Sequence, residues 1–525
     1  MEISNNIESE YSSTVSFEHR KKYAQFFTPI EIADIMAEWL LGNNALSKVL
    51  EPAFGLGVFS RILLSKKPHL SITGYDIDDA IYEKASNAFK DSRCINLILE
   101  DYISNDNNWD EKYDGIICNP PYFKFHDYDN KCLIPKVNQK LGTRLNLHTN
   151  LYALFLLKSI HQLKRNGRCA YIVPSEFLNS DYGVNIKSYL VQSKKLRHII
   201  VFNFKENVFD DALTTSAIIL CANDEFADTI AFSHINDATE FKRIKEIVSS
   251  YPNTKYSDFT YDSKDIHADV KWKSYYAPTE VPNFKSLVPF TAYAKVMRGI
   301  ATGANEYFSF NLSKARSTGI DMANMQPCIC HSTDVHGLCF TPDDFNTLLN
   351  SNKNVYILNP INKQDKKLNA YISEGEKQKI NQRHLTSKRI PWYSMEKRAP
   401  SPIWANVFNR NGLRFVRNET PTMNLTTFHC IYVNNNLFGV DADLLFAYLI
   451  SDTAKTLFST SGREYGNGLN KFEPNDLNKS LMLDIGCLNE TQKERLRRIY
   501  QQNKKNDDLS YICEIDSILI DNFSN

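Results

Sequence analysis

The pattern of apolar and polar positions divides the chain into a regular first part and a less regular second part. Between about 20 and 224, short β-rich runs alternate with segments of helical periodicity. We expect helices over 30–41, 57–66, 79–90, 149–166 and 183–192. Strands alternating with helices of this length predict an α/β fold with a doubly wound sheet. The predicted strands are Lys48–Ala53, Ser71–Asp78, Cys94–Asp101, Tyr113–Pro121, Arg168–Pro174, Leu196–Phe204 and Thr215–Asn223.

The pattern changes between about 245 and 290, where Tyr, Pro, Ser, Asp and Lys dominate and periodicity is weak. We therefore predict a domain over 20–244, a connection over 245–285 and a second domain over 286–525. Residues 1–19 are polar and are expected to form a flexible arm. The second domain has short strand-like runs and one helical segment at Asn489–Gln502, so we expect a mixed α+β domain.

Composition excludes some classes of protein and leaves others open. The 525 residues contain 61 Lys and Arg against 61 Asp and Glu, and a net charge of zero still allows a local basic face for nucleic acid. Eleven cysteines, an odd number, indicate reduced thiols rather than a disulfide framework. The N-terminus does not resemble a signal peptide, and no run reaches the ~18 apolar residues that span a bilayer. We expect a soluble cytoplasmic protein with no membrane partner.

A ligand site is indicated where the first predicted strands end. The segment from Val49 to Gly57 runs from an apolar strand into a turn with Gly55 and Gly57, where glycine allows a sharp turn and a close approach to a ligand. The next two strands end in Asp76 and Asp101, and an acid at such a position can accept hydrogen bonds from ribose hydroxyls. Each acid alone is more simply a helix cap or loop carboxylate. Three such signals in order favour a nucleoside cofactor.

The fourth predicted strand delivers the tetrapeptide Asn119-Pro120-Pro121-Tyr122 to the same edge of the sheet. The prolines fix the backbone, so the Asn119 side-chain oxygen and the Pro120 carbonyl can point at one place. Two rigid acceptors and an aromatic ring suit an amino group on a flat base. The alternative is an ordinary proline-rich turn after a strand.

Such acceptors address a specific chemical problem. The lone pair of an exocyclic amino nitrogen is delocalised into its ring, and accepting hydrogen bonds from both protons favours a pyramidal, nucleophilic nitrogen. Direct in-line transfer of a methyl group then needs only positioning and polarisation. We expect no cysteine nucleophile and no metal.

In this order the motifs resemble the gamma class of adenine-N6 DNA methyltransferases, typified by TaqI-like enzymes of type II restriction-modification systems. In that class a cofactor-cradling segment precedes the glycine turn, and Ala24–Pro29 stands in that place. The resemblance implies a Rossmann-like class I methyltransferase sheet with helices on both faces, and S-adenosylmethionine as cofactor. It implies that the cofactor residues are Phe27, Thr28, Pro29, Glu51, Pro52, Ala53, Gly55, Gly57, Asp76, Ile77, Asp101, Tyr102 and Asn119.

The resemblance also assigns roles within these residues. It places Thr28, Glu51 and Ala53 at the methionine end of the cofactor and Asp76 at the ribose hydroxyls. Asp101 is assigned to the adenine amino group of the cofactor, with Tyr102 beside that ring. The flipped target adenine is implied to lie against Asn119, Pro120, Pro121, Tyr122 and Phe209, where Phe209 covers its second face. The alternative for Phe209 is a core phenylalanine.

The second predicted domain resembles a target-recognition domain, starting near Val296–Asn305. Between Lys353 and Arg417, 14 Lys and Arg stand against four Asp and Glu, with aromatic residues interleaved. Such a segment suits phosphate contacts with double-stranded DNA, and the alternative is a solvated charged face. The candidate DNA-binding residues are Arg298, Lys388, Arg389, Trp392, Arg398 and Arg410.

Several alternatives remain at this stage. Asn-Pro-Pro-Tyr also serves methylation of RNA or of a protein glutamine amide, and a degenerate binding protein could keep the same fold. Cys328, Cys330, His331, His336 and Cys339 could be read as a zinc cluster, although their spacing fits no standard pair of CxxC knuckles. The basic loop after Tyr122 (Lys124 to Arg144) has no role that the motifs assign. We expect a monomer, with any restriction endonuclease on a separate chain.

Overall fold

A computed structural model of the chain describes residues 6–105, 109–202, 215–278, 283–362, 364–409, 412–434, 439–459, 462–465, 469–506 and 508–524. The chain divides into two compact units. The first unit comprises Met1–Pro278 with Arg463–Gly468, and the second comprises Thr279–Gly462 with Leu469–Asn525. Two predicted site residues, Phe209 and Arg410, lie outside the described residues.

The first unit contains a mixed sheet in the order β3-β2-β1-β4-β5-β7-β6-β8-β9. The first five strands of this order are parallel, whereas β7 runs antiparallel to both of its neighbours. Strand β8 is parallel to β6, and β9 is antiparallel to β8. The strands are β1 (Lys48–Glu51), β2 (Ser71–Asp76), β3 (Ile95–Leu99), β4 (Tyr113–Cys118), β5 (Leu163–Pro174), β6 (Leu196–Phe202), β7 (Ser216–Ala222), β8 (Thr229–Ile235) and β9 (Phe259–Asp262).

Successive strand residues enter two different cores, one on each face of the sheet. In β1, Leu50 belongs to one core and Val49 to the other, and Ile116 and Ile117 divide in the same way in β4. Because both faces are covered by helices, the central strands are almost continuous apolar runs rather than alternating ones. The predicted α/β fold is therefore confirmed in the first unit.

The helices of the first unit cover both faces of this sheet. Helix α3 and helix α4 contribute to one core, and α7 and α8 contribute to the other. The helices are α1 (Asn6–Thr14), α2 (Phe17–Lys22), α3 (Ile30–Leu41), α4 (Val58–Lys66), α5 (Asp79–Ala88), α6 (Asn130–Leu141), α7 (Leu151–His161), α8 (Gly183–Gln192), α9 (Phe241–Ser250) and α10 (Lys273–Tyr276).

Two segments differ from the sequence expectation. The expected flexible arm over 1–19 contains α1 and the first half of α2, and the Tyr11 ring is fully buried. The expected connection over 245–285 contains the end of α9, strand β9 and α10, and Trp272 is fully buried there. Both segments are polar in local composition, and the buried partners of their apolar anchors include distant residues, such as Leu56 and Ile81 for Tyr11 and Phe232 for Trp272. Local composition therefore predicted an arm and a connection in segments where tertiary packing forms helices and a strand.

The second unit is built on short strands and helices. A five-stranded sheet has the order β11-β20-β16-β18-β14, and a four-stranded sheet has the order β12-β15-β13-β19. From residue 283 onwards the strands are β10 (Leu287–Pro289), β11 (Ala294–Arg298), β12 (Ser309–Phe310), β13 (Met325–Ile329), β14 (Cys339–Phe340), β15 (Tyr356–Leu358), β16 (Ile403–Asn406), β17 (Phe408–Asn409), β18 (Phe415–Asn418), β19 (Met423–Asn424), β20 (Phe428–Val433), β21 (Arg463–Tyr465, grouped with the first unit), β22 (Leu469–Lys471) and β23 (Leu481–Leu483).

The C-terminal helices form the main core of the second unit. Apolar residues of α15, α16, α18 and α19 pack together with residues of β11, β16 and β18. The helices from residue 283 onwards are α11 (Asn305–Phe308), α12 (Leu312–Thr318), α13 (Pro342–Asn350), α14 (Lys366–Lys377), α15 (Ala442–Ile450), α16 (Asp452–Ser459), α17 (Pro474–Asn478), α18 (Glu490–Asn503) and α19 (Ile512–Phe523). The mixture of strands and helices agrees with the expected α+β composition of this part.

Candidate active site

A cavity of about 520 Å³ lies in the first unit, where β1, β2, β3 and β4 end. These strands are parallel neighbours, so their carboxyl ends meet at one edge of the sheet, where α/β sheets bind ligands. The structure brings most of the predicted cofactor and catalytic residues together around this cavity. The predicted residues that line it are Phe27, Thr28, Glu51, Pro52, Ala53, Gly55, Asp76, Ile77, Asp101, Tyr102, Asn119 and Pro121.

Four predicted site residues do not belong to the lining: Pro29, Gly57, Pro120 and Tyr122. Pro29 precedes α3 as its N-cap residue. Gly57 has a φ of 74°, and a Cβ there would come within 2.6 Å of the Phe54 ring. Gly57 is thus required by a left-handed turn and by packing under the site, rather than by the approach of a ligand.

The side chain of Asn119 is held in one orientation by two acceptors. Its Nδ2 donates to the carbonyl of Phe26 at 2.8 Å and to Oγ1 of Thr28 at 3.0 Å. Both partners accept through oxygen, so the amide nitrogen must face them and Oδ1 must face the other way. Oδ1 is buried, and within the described part of the chain no donor reaches it. A buried acceptor without a donor is costly, so Asn119, a residue that lines the cavity, keeps an acceptor whose hydrogen bond is not made within the described part of the chain.

Glu51 supplies a second prepared acceptor. Its side chain is completely buried, Oε2 accepts from Ser60 Oγ, and Oε1 is buried with no donor among the described residues. Burial, which penalises the ionised form, raises the pKa of Glu51 from 4.5 to about 8. A cationic amino group beside Oε1 would relieve both the missing hydrogen bond and the unfavourable ionisation.

Asp76 fixes the glycine turn to the end of β2. Oδ2 accepts from the Gly55 amide at 3.0 Å, and Oδ1 accepts from the amides of Ile77 and Asp78 at 2.8 and 3.0 Å. Burial raises the pKa of this carboxyl above its ordinary value, and the backbone hydrogen bonds oppose that shift. A carboxylate has about four acceptor positions, so Asp76 keeps capacity for a ligand hydroxyl.

Asp101 and Tyr102 follow β3 and have different surroundings. Asp101 accepts from the amide of Ile103 at 2.9 Å and from the Ser104 hydroxyl. Tyr102 is almost fully buried, with its hydroxyl bonded to Gln162 and 3.0 Å from Ser159 Oγ. Burial raises the pKa of Tyr102 well above 10, so the phenol stays neutral. The ring forms part of the cavity floor as well as part of the core.

The ring of Tyr122 does not line this cavity but lies beside Phe26, which does. The two rings are nearly parallel, at 19°, with centroids 6.0 Å apart, and Phe26 lines the cavity. The hydroxyl of Tyr122 donates to the carbonyl of Ile172 at 3.3 Å. Burial raises the pKa of Tyr122, so it is a neutral aromatic surface. Sequence reasoning missed the neighbouring position of Phe26, although Phe26 is part of the segment that precedes the glycine turn.

Further lining residues were not predicted as site residues, although one of them, Phe155, lies in a helix that was expected over 149–166. Cys132 and Leu133 of α6 and Phe155 of α7 line the cavity, and so does Glu8 of α1. Helix α6 lies within the long basic loop of the sequence analysis, where Pro135 and a high polar content concealed it. A helical capping signal was nevertheless present, because the Asp129 side chain accepts from the amide of Cys132.

The candidate DNA-binding residues of the second unit are partly engaged by the protein itself. Arg389 donates to the carbonyls of Thr302 and Ala301, and Arg398 pairs with Glu396 and donates to the carbonyl of Arg298. The indole of Trp392 donates to Glu376 at 3.0 Å. The side chains of Arg298 and Lys388 are exposed. Arg389 and Arg398 therefore hold the backbone around residues 298–302 through these hydrogen bonds, in addition to carrying positive charge.

Neither a metal site nor a membrane span emerges from the structure. Over the described ranges, no group of three or more His, Cys, Asp or Glu side chains is arranged to hold a metal ion. Cys328, Cys330 and Cys339 are buried thiols. No helix within the part of the chain that the structure describes has the length and apolar content needed to cross a membrane.

Two family models cover most of the chain. Residues 57–209 match the model described as Eco57I restriction-modification methylase, and residues 269–520 match the one described as Type II methyltransferase M.Eco57I, C-terminal domain. The fold and the site thus fall within the class of restriction-modification methylases.

Curated relatives extend this match to the full length of the chain. The Type II methyltransferase M.AccI of Acinetobacter calcoaceticus is 53% identical over 530 residues, which is 99% of this chain and 97% of that protein. The Type II methyltransferase M.HindII of Haemophilus influenzae is 26% identical over 413 residues, 75% of this chain and 72% of that protein. The chain belongs to the type II methyltransferases of restriction-modification systems.

A solved structure supports the fold at low sequence identity. The chain is similar to a protein in a cryoEM structure of a DrdV-DNA complex, with a TM-score of 0.57 and 12% identity. The similarity covers 95% of this chain and 58% of that chain. At this identity the likeness concerns the fold alone.

Proposed function

We propose that this chain is a DNA methyltransferase that moves a methyl group from S-adenosylmethionine to the exocyclic N6 of a flipped-out adenine. The observation that carries the proposal is the state of Asn119, whose amide is held by Phe26 and Thr28 while Oδ1 is buried and has no hydrogen-bond partner among the described residues. The N–H of an exocyclic amino group would satisfy such an acceptor.

The cavity fits the proposed cofactor. The unpaired Oε1 of Glu51 would receive the cationic amino group of the methionine end, and the backbone of Gly55 would allow close approach of the cofactor. Asp76 would hold the ribose hydroxyls, and Asp101 the adenine amino group. When bound, S-adenosylmethionine supplies an electrophilic methyl group on its sulfonium. A cavity of about 520 Å³ suits a ligand of nucleoside size.

The protein's contribution to the chemistry is positioning and polarisation. Oδ1 of Asn119 would accept one N–H of the target amine and would thereby make its nitrogen lone pair more available. Because the amide is fixed in the free protein, this acceptor needs no reorganisation at the moment of reaction. The aromatic surface of Tyr122 and Phe26 would hold the flat base. This chemistry needs neither a cysteine nucleophile nor a metal ion.

Two observations favour DNA as the substrate. The relatives that match almost the whole chain are type II methyltransferases, and one structure of similar fold is described as a complex with DNA. The second unit carries the basic segment from Lys353 to Arg417, with exposed side chains at Arg298 and Lys388. Exposed basic groups contact phosphates, which supply most of the sequence-independent affinity for DNA.

The proposal is tested by expressing the chain in a host whose DNA is free of methylation. Long-read sequencing, with mass spectrometry of the nucleosides, should find N6-methyladenine in one short sequence motif. Asn119→Ala should abolish the modification, whereas Asn96→Ala, which changes an exposed asparagine of β3 in the same sheet, should leave it intact. N4-methylcytosine instead of N6-methyladenine would correct the target base, and unmodified DNA beside soluble protein would refute a DNA substrate.

A further inference from the structure

The N-terminal segment 6–25, formed by α1, α2 and the turn after them, is connected to both turns that frame the proposed cofactor cavity. The first connection starts at Glu8, which is almost fully buried and lines the cavity. Its carboxylate forms an ion pair of 2.5 Å with Arg61 of α4, and Arg61 also donates to the carbonyl of Leu56 at 2.6 Å. Leu56 lies in the glycine turn, so α1 holds that turn through a single guanidinium.

The second connection passes through the carboxylate of Asp78, which is 2% exposed. Oδ2 accepts from Gln25 at 2.6 Å and lies 2.8 Å from Nε2 of His19 and 3.5 Å from the Tyr11 hydroxyl. The backbone amide of the same Asp78 donates to Oδ1 of Asp76. Three side chains of the segment therefore act on the turn that presents the proposed ribose acceptor.

Apolar packing completes the attachment. The ring of Tyr11 meets the edge of Phe27 at a centroid distance of 5.7 Å, and Tyr11 is buried with Leu56 and Ile81. Lys22 and Tyr23 line the cavity directly. The segment is thus a wall of the cavity, and its removal would open that wall to solvent.

We propose that segment 6–25 is a cofactor clamp, in which Glu8 and Asp78 are positioning residues for the glycine turn and for Asp76. This inference rests on the proposed cofactor, and it adds residues 6–23 and Asp78, which the cofactor-cradling segment Ala24–Pro29 and the predicted site residues do not include. Binding of S-adenosylmethionine is coupled to the docking of α1, because both use the same turns. Weakening the docking should therefore weaken cofactor binding while the chemistry at Asn119 is retained.

The test measures binding of S-adenosylhomocysteine to the full chain by calorimetry. Glu8→Gln removes the charge that pairs with Arg61, whereas Glu10→Gln makes the same change at an exposed position of the same helix. We expect Glu8→Gln to raise Kd by about tenfold, with Glu10→Gln equal to the unaltered chain. In turnover with S-adenosylmethionine, Glu8→Gln should raise KM in the same proportion with kcat within about twofold.

A second variant separates the loss of α1 docking from the effect of leaving Arg61 without its ion-pair partner. Tyr11→Ala removes the ring from Phe27 and the hydroxyl from the Asp78 network, and it leaves every charge in place. Hydrogen exchange of 6–22 should be slowed by S-adenosylhomocysteine in the unaltered chain and in Glu10→Gln, and much less in Tyr11→Ala. Unchanged Kd and unchanged protection in both Glu8→Gln and Tyr11→Ala would overturn the clamp. Absence of binding by the unaltered chain would instead overturn the proposed cofactor, and the clamp with it.

Discussion

Replacing the buried carboxyl of Glu51 by an amide should stabilise the protein at alkaline pH and weaken cofactor binding. In Glu51→Gln the side chain keeps its shape, the acceptor for Ser60 Oγ is retained, and no charge can form. The raised pKa of about 8 means that the folded chain holds a proton near neutral pH, which the unfolded chain has released above about 4.5. Folding stability therefore falls as pH rises between these values, and Glu51→Gln removes this loss.

The magnitude follows from the displacement of the pKa. A shift from 4.5 to about 8, at about 1.4 kcal/mol per unit, corresponds to on the order of 5 kcal/mol once pH is well above 8. Over the accessible range from about pH 6 to pH 9, the variant should gain on the order of 3 kcal/mol relative to the unaltered chain. For a unit of this size, that gain corresponds to roughly 5–8 °C in Tm.

Thermal unfolding of both proteins at a series of pH values measures this difference in stability between Glu51→Gln and the unaltered chain. Glu100→Gln is the matched control, because Glu100 also lines the cavity but is exposed. Adding S-adenosylhomocysteine at pH 8 should raise the Tm of the unaltered chain more than that of Glu51→Gln, because only an ionised Glu51 pairs with the amino group. If the difference in Tm between the two proteins stays constant from pH 6 to pH 9, or if the unaltered chain becomes the more stable one as pH rises, the reasoning is refuted.

Three further sets of substitutions test packing at the glycine turn, stacking on Tyr122 and phosphate contact in the second unit. Gly57→Ala places a methyl group against Phe54 at a positive φ, so it should cost about 2–4 kcal/mol in denaturant unfolding; an unchanged midpoint would show that the turn relaxes freely. Tyr122→Phe should keep most of the activity, whereas Tyr122→Ala should lower kcat/KM roughly 10- to 100-fold through lost stacking, and equal loss in both would assign the role to the hydroxyl instead. Arg389→Ala, which removes two hydrogen bonds to carbonyls, should destabilise the second unit by about 2–4 kcal/mol with little change in the salt dependence of DNA binding. Lys388→Ala should reduce the slope of log K against log salt by about 1, and the opposite pattern would exchange the two roles.

The positions along the chain of the first seven strands, and the sheet edge at which the site lies, were predictable from the sequence. Strand β1 ends at Glu51 and β2 at Asp76, each two residues before its predicted end, and β4 ends three residues before its predicted end, directly ahead of Asn119. Periodicity and turn residues are local properties, and they carry this information because parallel strands with short connections must align their carboxyl ends. The roles proposed for Phe209 and Arg410 remain predictions, since both lie outside the described residues.

The partners of each polar group were decided only by the tertiary structure. The sequence does not distinguish Gly55, which lines the cavity, from Gly57, which packs against Phe54, because both belong to the same turn. Nor does local composition show that Tyr11 is buried, since its neighbours are separated from it by many residues along the chain.

Local pattern thus determined the α/β sheet, the edge of the site and the order of its motifs. Over the described residues, packing determined which atoms of the cavity-lining residues stay buried without a partner, among them Oδ1 of Asn119, Oε1 of Glu51 and Oε2 of Glu8. The physical reason is that secondary structure follows from neighbours in sequence, whereas the satisfaction of a buried donor or acceptor depends on every element that reaches it.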